Sequence, residues 1–121
     1  MKQCLIVDDS RVTRKVARKI IEDLRFTVHE AEGATAALEL CHRKMPDAIL
    51  LDGRMGSSST AEFLRAVRRF PGGDRPIIIF STIENDAEHI AEIMSAGAND
   101  YIMKPFDRAL IATTFADAGL L

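Results

Sequence analysis

Along this chain, short apolar runs alternate with longer stretches in which apolar residues recur every three or four positions. The runs are CLIV at 4–7, a short one at 27–30, AILL at 48–51, IIIF at 77–80 and YIM at 101–103. Runs of this length predict buried β-strands. Between them the helical period takes over. Val12, Val16, Ile20 and Leu24 are spaced by four, with Ala17 and Ile21 beside them, which predicts a helix over 11–24 capped by Ser10. A second helix follows Gly33 and runs to about Arg43, facing Ala34, Ala37, Leu38 and Cys41 inward before Pro46 breaks the chain. A third, over 60–70, carries Phe63, Leu64, Val67 and Phe70, and PGGDRP at 71–76 is a turn. A fourth, from about Asp86 to Ala96, is expected to bury Ala87, Ile90, Ala91 and Met94 and to end at Gly97. The last starts at Asp107, with Leu110, Ile111, Phe115 and Ala118 on its inner face.

Strand and helix thus alternate in a (βα)5 pattern, which predicts an α/β fold with a parallel five-stranded sheet. Right-handed crossovers place the helices on both faces, so the fold is doubly wound. One common strand order for such a sheet is 2-1-3-4-5. IIIF at 77–80 is the most apolar run and is expected at the centre, because strands covered on both faces read as continuous apolar segments. The 121 residues suit one domain, 1–121, with no second domain, linker or repeat in view.

Composition narrows the function classes. Hydrophobic residues make up 47% of the chain, and 16 basic against 18 acidic residues leave a formal charge of −2. That balance argues against nucleic-acid binding, which needs a basic surface. The stripe from Arg11 to Lys19 reads as a solvated helix face. MKQCLIVDD lacks the form of a signal peptide, and no stretch reaches the ~20 apolar residues of a membrane span. Membrane insertion is not expected, and a cytoplasmic location is the default. Cys4 and Cys41 lack metal-ligand spacing and read as buried free thiols. His29, His42 and His89 are scattered and read as surface or core residues, and Met55, Met94 and Met103 as packing.

The chemistry lies at the ends of the strands. Asp8 and Asp9 follow the first apolar run, Asp52 the third and Lys104 the fifth. Carboxyl ends of parallel strands share one rim, where ligands bind. Three carboxylates crowded there require a cation. Mg²⁺ takes six oxygens and keeps several waters, so carboxylates, a backbone carbonyl, a phosphoryl oxygen and waters suit it. Lys104 is the compensating cation when no metal is bound and can pair with phosphoryl oxygens when they arrive. Asp52 is central in the group and is the candidate nucleophile, since carboxylates form aspartyl-phosphates. Positioning and charge neutralisation, supplied by metal and lysine, are what phosphoryl transfer chiefly needs.

From about Gln3 to the C-terminus the chain resembles the receiver domain of bacterial two-component response regulators. The residues that carry the resemblance are LIVDDS at 5–10, ILLD at 49–52, Ser81 after IIIF, and AGANDYIMKPF at 96–106, in that order. RRFPGGDRP, STIENDAEHIAE and YIMKPFDR are similar to alphaproteobacterial single-domain regulators of the chemotaxis type. The resemblance implies a flavodoxin-like fold with Asp52 as phosphoacceptor. It implies Mg²⁺ held by Asp8, Asp9, Asp52 and the backbone carbonyl of Arg54. It implies that Ser81 swings toward the phosphoryl group, that Tyr101 rotates with it, that Lys104 pairs with phosphoryl oxygens, and that Lys104–Pro105 is cis. Thr82 is a rival hydroxyl to Ser81, and Tyr101 also suits plain packing. The phosphodonor is then a histidine kinase or phosphotransfer protein. Output is to a downstream protein through helix 4, strand 5 and helix 5, where Glu84, Asp86, Glu88 and Glu92 bear on partner choice. A weak homodimer is also allowed.

The chain departs from the family after Asp52. The stretch Gly53 to Thr60 reads GRMGSSST, with Gly56 where proline is usual and Thr60 where glycine is usual. Gly56 frees the loop beside the metal, and Thr60 removes an easy turn of positive φ. Arg54 is placed to lay a guanidinium near Asp52. The alternative reading is therefore a pseudo-receiver, a binding module working without phosphorylation. A third, an enzyme with a diffusible substrate, lacks both a second Asp two residues after Asp52 and a Gly/Ser/Thr-rich phosphate cradle in DDSRVTRK.

Overall fold

The computed structural model describes residues 1–55, 59–83 and 85–121. Gly56 of the departing loop and Glu84 of the acidic group lie outside them. Strands and helices alternate as β1 (Gln3–Val7), α1 (Arg11–Asp23), β2 (Thr27–Ala31), α2 (Ala34–Arg43), β3 (Ala48–Asp52), α3 (Thr60–Arg69), β4 (Ile77–Thr82), α4 (Ala87–Ala96), β5 (Asp100–Met103) and α5 (Arg108–Asp117). All strand pairs are parallel, in the order β2-β1-β3-β4-β5. The centre of the sheet is β3, buried along its whole length, and not the more apolar β4 beside it. Both are interior strands covered on two faces, so apolarity alone does not rank them.

Alternation along the strands divides the core in two. Leu5, Val7, Ile49, Leu51, Ile78 and Phe80 meet α2, α3 and α4 through Ala37, Cys41, Phe63, Leu64, Val67 and Ile93. Cys4, Ile6, Val28, Leu50, Ile79 and Ile102 meet α1 and α5 through Ala17, Ile20, Ile21, Ile111 and Phe115. There Phe26 packs edge-on against Phe115, centroids 5.5 Å apart. Cys4 and Cys41 are buried free thiols, and burial pushes them up to about 12 and about 11.

Side chains mark the helix starts. Ser10, Ser59, Asp86 and Asp107 accept hydrogen bonds from the first-turn amides of α1, α3, α4 and α5. Gly97 ends α4 at φ 127°. Its carbonyl accepts from Arg68 Nε and Nη2 at 3.0 and 2.6 Å. The same guanidinium donates to the carbonyls of Gly73 and Pro76 and to Asn99 Oδ1. Arg68 thus clamps the C-terminal end of α4 to the turn before β4.

Several inward faces differ from the periodic reading. Val12 and Val16 are 75% and 48% exposed, because a spacing of four residues advances about 40° around the helix and carries the stripe off the face set by Ala17, Ile20 and Ile21. In α4 the buried residues are Ile93 and Ala96, while Ala87 and Ala91 are exposed. In α5 Leu110 is exposed, and Thr114 takes its place beside Ile111 and Phe115. Met103 is exposed on the edge strand β5, whereas Met55 is buried. Among the described residues no helix is long and apolar enough to cross a membrane.

Candidate functional site

Parallel pairing brings the strand ends to one rim. Val7, just before the acidic pair, lies beside Leu51, and Asp52 lies beside Ser81. Ligand oxygens of Asp8, Asp9 and Asp52 all fall within 4.8 Å of one another. Lys104 reaches in from β5's end, its Nζ 3.1 Å from Asp8 Oδ2 and 3.3 Å from Asp52 Oδ1. Asp8 and Asp52 are buried and Asp9 is exposed. The Lys104–Pro105 bond is cis.

These groups set one another's charge. Burial pushes the Asp52 carboxyl above its ordinary range, and the Asp8 charge adds to that against the pull of the Arg54 amide and Lys104. Burial draws the Lys104 ammonium down, yet its hydrogen bond to Asp8 and the Asp52 and Asp8 charges hold it above its ordinary value. A buried carboxyl held above its usual range beside two more carboxylates is a site short of positive charge. An all-oxygen donor set in a short span fits a hard divalent ion such as Mg²⁺.

Backbone amides support the carboxylates. Ser10 N donates to Asp8 Oδ1 at 2.8 Å, and Arg54 N donates to Asp52 Oδ1 at 3.0 Å. Above Asp52 lies a cavity of about 170 Å³ lined by Asp52, Arg54, Thr82, Ile83 and Lys104. Of the two hydroxyl candidates, Ser81 neighbours Asp52 in the ladder while Thr82 borders the cavity. Both are buried. Tyr101 is 39% exposed and stacks on Phe80, centroids 5.7 Å apart.

The periodic reading overlooked residues that shape this site. Arg14 lies in the stripe read as solvated, yet it is buried. Its Nη1 donates to the Asp8 carbonyl at 2.7 Å and its Nε to Glu30 at 3.0 Å. Lys15 and Arg18 also reach Glu30, each at 2.8 Å. Burial raises the Glu30 carboxyl, but its bonds to Lys15, Arg18 and Arg14 outweigh this and bring it to about 2. The available signal was spacing, since Arg14 shares a helical face with Ala17 and Ile21. Thr60 begins α3, so the helix itself absorbs the residue that replaces the usual glycine, and its hydroxyl donates to the Asp52 carbonyl at 3.1 Å. His89 Nε2 lies 3.0 Å from the Gly53 carbonyl. Gly53 is required by close approach, because a Cβ there would lie 2.7 Å from the Ser81 carbonyl oxygen.

The response regulator receiver domain model matches residues 4–116, and the chain belongs to that family. It resembles the chemotaxis-type members, being 31% identical to chemotaxis protein CheY of Halobacterium salinarum over 96% of this chain and 95% of that protein. It is also 33% identical to the response regulator MprA of a Mycobacterium strain, covering 95% of this chain and 53% of that protein. The chain therefore spans about half the length of the MprA regulators it matches. Among solved structures it is similar to CheY4 of Vibrio cholerae, with a TM-score of 0.91, 27% identity, and 97% and 98% of the two chains covered. The receiver domain of a Pseudomonas aeruginosa sensor histidine kinase superposes with a TM-score of 0.87, 28% identity, and 96% and 95% covered; that structure has a magnesium ion coordinated in its active-site cleft. Receiver domains are signalling modules that bind Mg²⁺ at an acidic site. The pseudo-receiver alternative is not favoured.

Proposed function

We propose that this chain is the receiver of a response regulator, switched by phosphorylation of Asp52. The observation that supports this most directly is the convergence of Asp8, Asp9 and Asp52 on one cluster, with Lys104 bonded to two of its members. The donor is a histidine kinase or a phosphotransfer protein, and the working location is the cytoplasm. Asp8, Asp9, Asp52 and the Arg54 carbonyl would hold Mg²⁺, which would neutralise charge on the phosphoryl oxygens. A carboxylate oxygen of Asp52 bonds to phosphorus while the bond from phosphorus to the donor's imidazole nitrogen breaks, that nitrogen keeping the electron pair. Lys104 exchanges its carboxylate partners for the phosphoryl oxygens.

An apolar patch beside the cavity suits the donor's approach. Val12, Val16, Ile83, Pro105 and Phe106 line a hollow of about 370 Å³, and Ile83 and Lys104 border both it and the cavity over Asp52. For output, Ser81 donates to the phosphoryl group and draws the start of the β4–α4 loop inward. Tyr101 then turns from its place on Phe80, changing the face of α4, β5 and α5. A charge-assisted hydrogen bond of roughly 1.5–3 kcal/mol is enough to bias such an equilibrium. No diffusible substrate is turned over in this scheme.

Labelling with a small phosphodonor tests the reading. Wild type should take label only with Mg²⁺, and D52A should take none. An unlabelled wild type, or a D52A variant labelled equally, overturns it. In the same experiment amide signals should move most around Asp52, in 81–83, in 85–90 and in 99–106, and least on α2 near Glu39 and Arg43.

A further inference from the structure

We propose that Thr60 and His89 are positioning residues, holding the peptide after Asp52 so that the Arg54 carbonyl is presented to the metal. The proposal rests on the phosphoacceptor reading above. A carbonyl two residues beyond a strand end is free to turn, because each intervening residue has two soft dihedrals. In this chain the two carbonyls before it are each held by a side chain from a different helix. Thr60, buried at the start of α3, donates its hydroxyl to the Asp52 carbonyl at 3.1 Å. His89, in the first turn of α4, places Nε2 3.0 Å from the Gly53 carbonyl. A carbonyl oxygen only accepts, so Nε2 carries the proton of that bond.

Backbone bonds fix the amide side of the same peptides. Gly53 N donates to the Ser81 carbonyl at 2.7 Å, and Arg54 N to Asp52 Oδ1 at 3.0 Å. From Asp52 to Arg54 the chain is thus tied to β4, α3, α4 and its own carboxylate. With those groups fixed, only the two dihedrals of Arg54 itself remain to set the direction of its carbonyl. The hydroxyl is a property of Thr60 itself, since a glycine at this position has no donor to offer. His89 also makes α4 a direct neighbour of the phosphoacceptor loop, by a route separate from Ser81 and Tyr101.

The test uses the full chain and five proteins: wild type, T60V, T60S, H89L and H89Q. Mg²⁺ is titrated while amide signals are followed, and exchange of the Arg54 amide is measured without metal. T60V and H89L should each weaken Mg²⁺ binding about fivefold, the share of one hydrogen bond, and should accelerate Arg54 amide exchange by a similar factor. T60S and H89Q keep a donor and should stay near wild type. Wild-type Mg²⁺ affinity in both T60V and H89L overturns the proposal, as does a T60S protein that behaves like T60V. A wild-type chain that shows no Mg²⁺ response sinks the phosphoacceptor reading instead. The exchange arm, read without metal, then still decides whether Thr60 and His89 hold the peptide, and unchanged exchange in T60V and H89L rejects it.

Discussion

Replacing Lys104 with methionine removes one charge while keeping most of the side chain's volume. The ammonium lies 3.1 Å from Asp8 and 3.3 Å from Asp52. The three side chains are only 19%, 5% and 10% exposed, so water does little of the neutralising. Removing one partner of a buried ion pair costs about 3–5 kcal/mol. Partial exposure of the lysine reduces this to about 2–3 kcal/mol. With a urea m-value of about 1.5–2 kcal/mol/M for a domain of this size, the midpoint of K104M should fall by about 1.5 M without added metal. The same substitution removes a like charge from the path of an entering divalent ion. Mg²⁺ should therefore bind about tenfold more tightly to K104M, a change of about 1.4 kcal/mol. Mg²⁺ at a hundred times its dissociation constant adds about 2.7 kcal/mol, which nearly restores the lost stability. Urea titrations of both proteins with and without Mg²⁺ measure all of these quantities. If K104M is equally destabilised in both conditions and binds Mg²⁺ more weakly, Lys104 acts by packing and the electrostatic reasoning fails.

Other expectations follow from single contacts. The Glu30 carboxyl sits at about 2 against an ordinary 4.5, so its bonds add stability above pH 4.5 that is lost as pH falls toward 2; E30Q should flatten that limb of an acid unfolding curve, and an unchanged limb refutes the assignment. Phe115 is 1% exposed and packs on Phe26, so F115A should cost about 3–5 kcal/mol in urea denaturation. A Cβ at Gly53 meets the Ser81 carbonyl oxygen at 2.7 Å, and G53A should cost about 1–3 kcal/mol and disturb the amide signals at the end of β4. R14M strips a donor from the Asp8 carbonyl, and calorimetry should show weaker Mg²⁺ binding together with a stability loss of about 1–3 kcal/mol.

Asp8, Asp9, Asp52 and Lys104 were legible because strand ends are legible. A charged residue directly after a buried apolar run marks the rim, and parallel pairing then brings the rim residues together. The helix caps Ser10 and Gly97 were visible for a similar local reason. Thr60 and His89 act on backbone carbonyls, which carry no mark in the sequence, so their roles appear only when the chain is folded; for Arg14 the spacing marked the inward face but not the carbonyl it meets. Val12 was misplaced because a stripe spaced by four drifts around the helix, and Leu110 because an apolar count does not show which face of α5 meets the core. The hollow that Val12 shares with Phe106 is assembled from α1, the end of β4 and the turn after β5, three segments that no local pattern connects.

Helix α4 is bound very differently at its two ends. At Gly97 the guanidinium of Arg68 grips the helix terminus and ties it to the turn before β4. At the other end His89 touches the Gly53 carbonyl through one hydrogen bond. The ten residues between Ala87 and Ala96 make a rod of about 15 Å. A rod clamped by Arg68 at one end and joined to the phosphoacceptor loop near the other has the geometry of a lever, with Arg68 at the fulcrum. A tilt of about 5° leaves the Gly97 end in place and carries the Asp86 end through about 1.3 Å, given that rod length. On this geometry a displacement at the phosphoacceptor would be spread along α4, largest beside Asp52 and vanishing at the clamp.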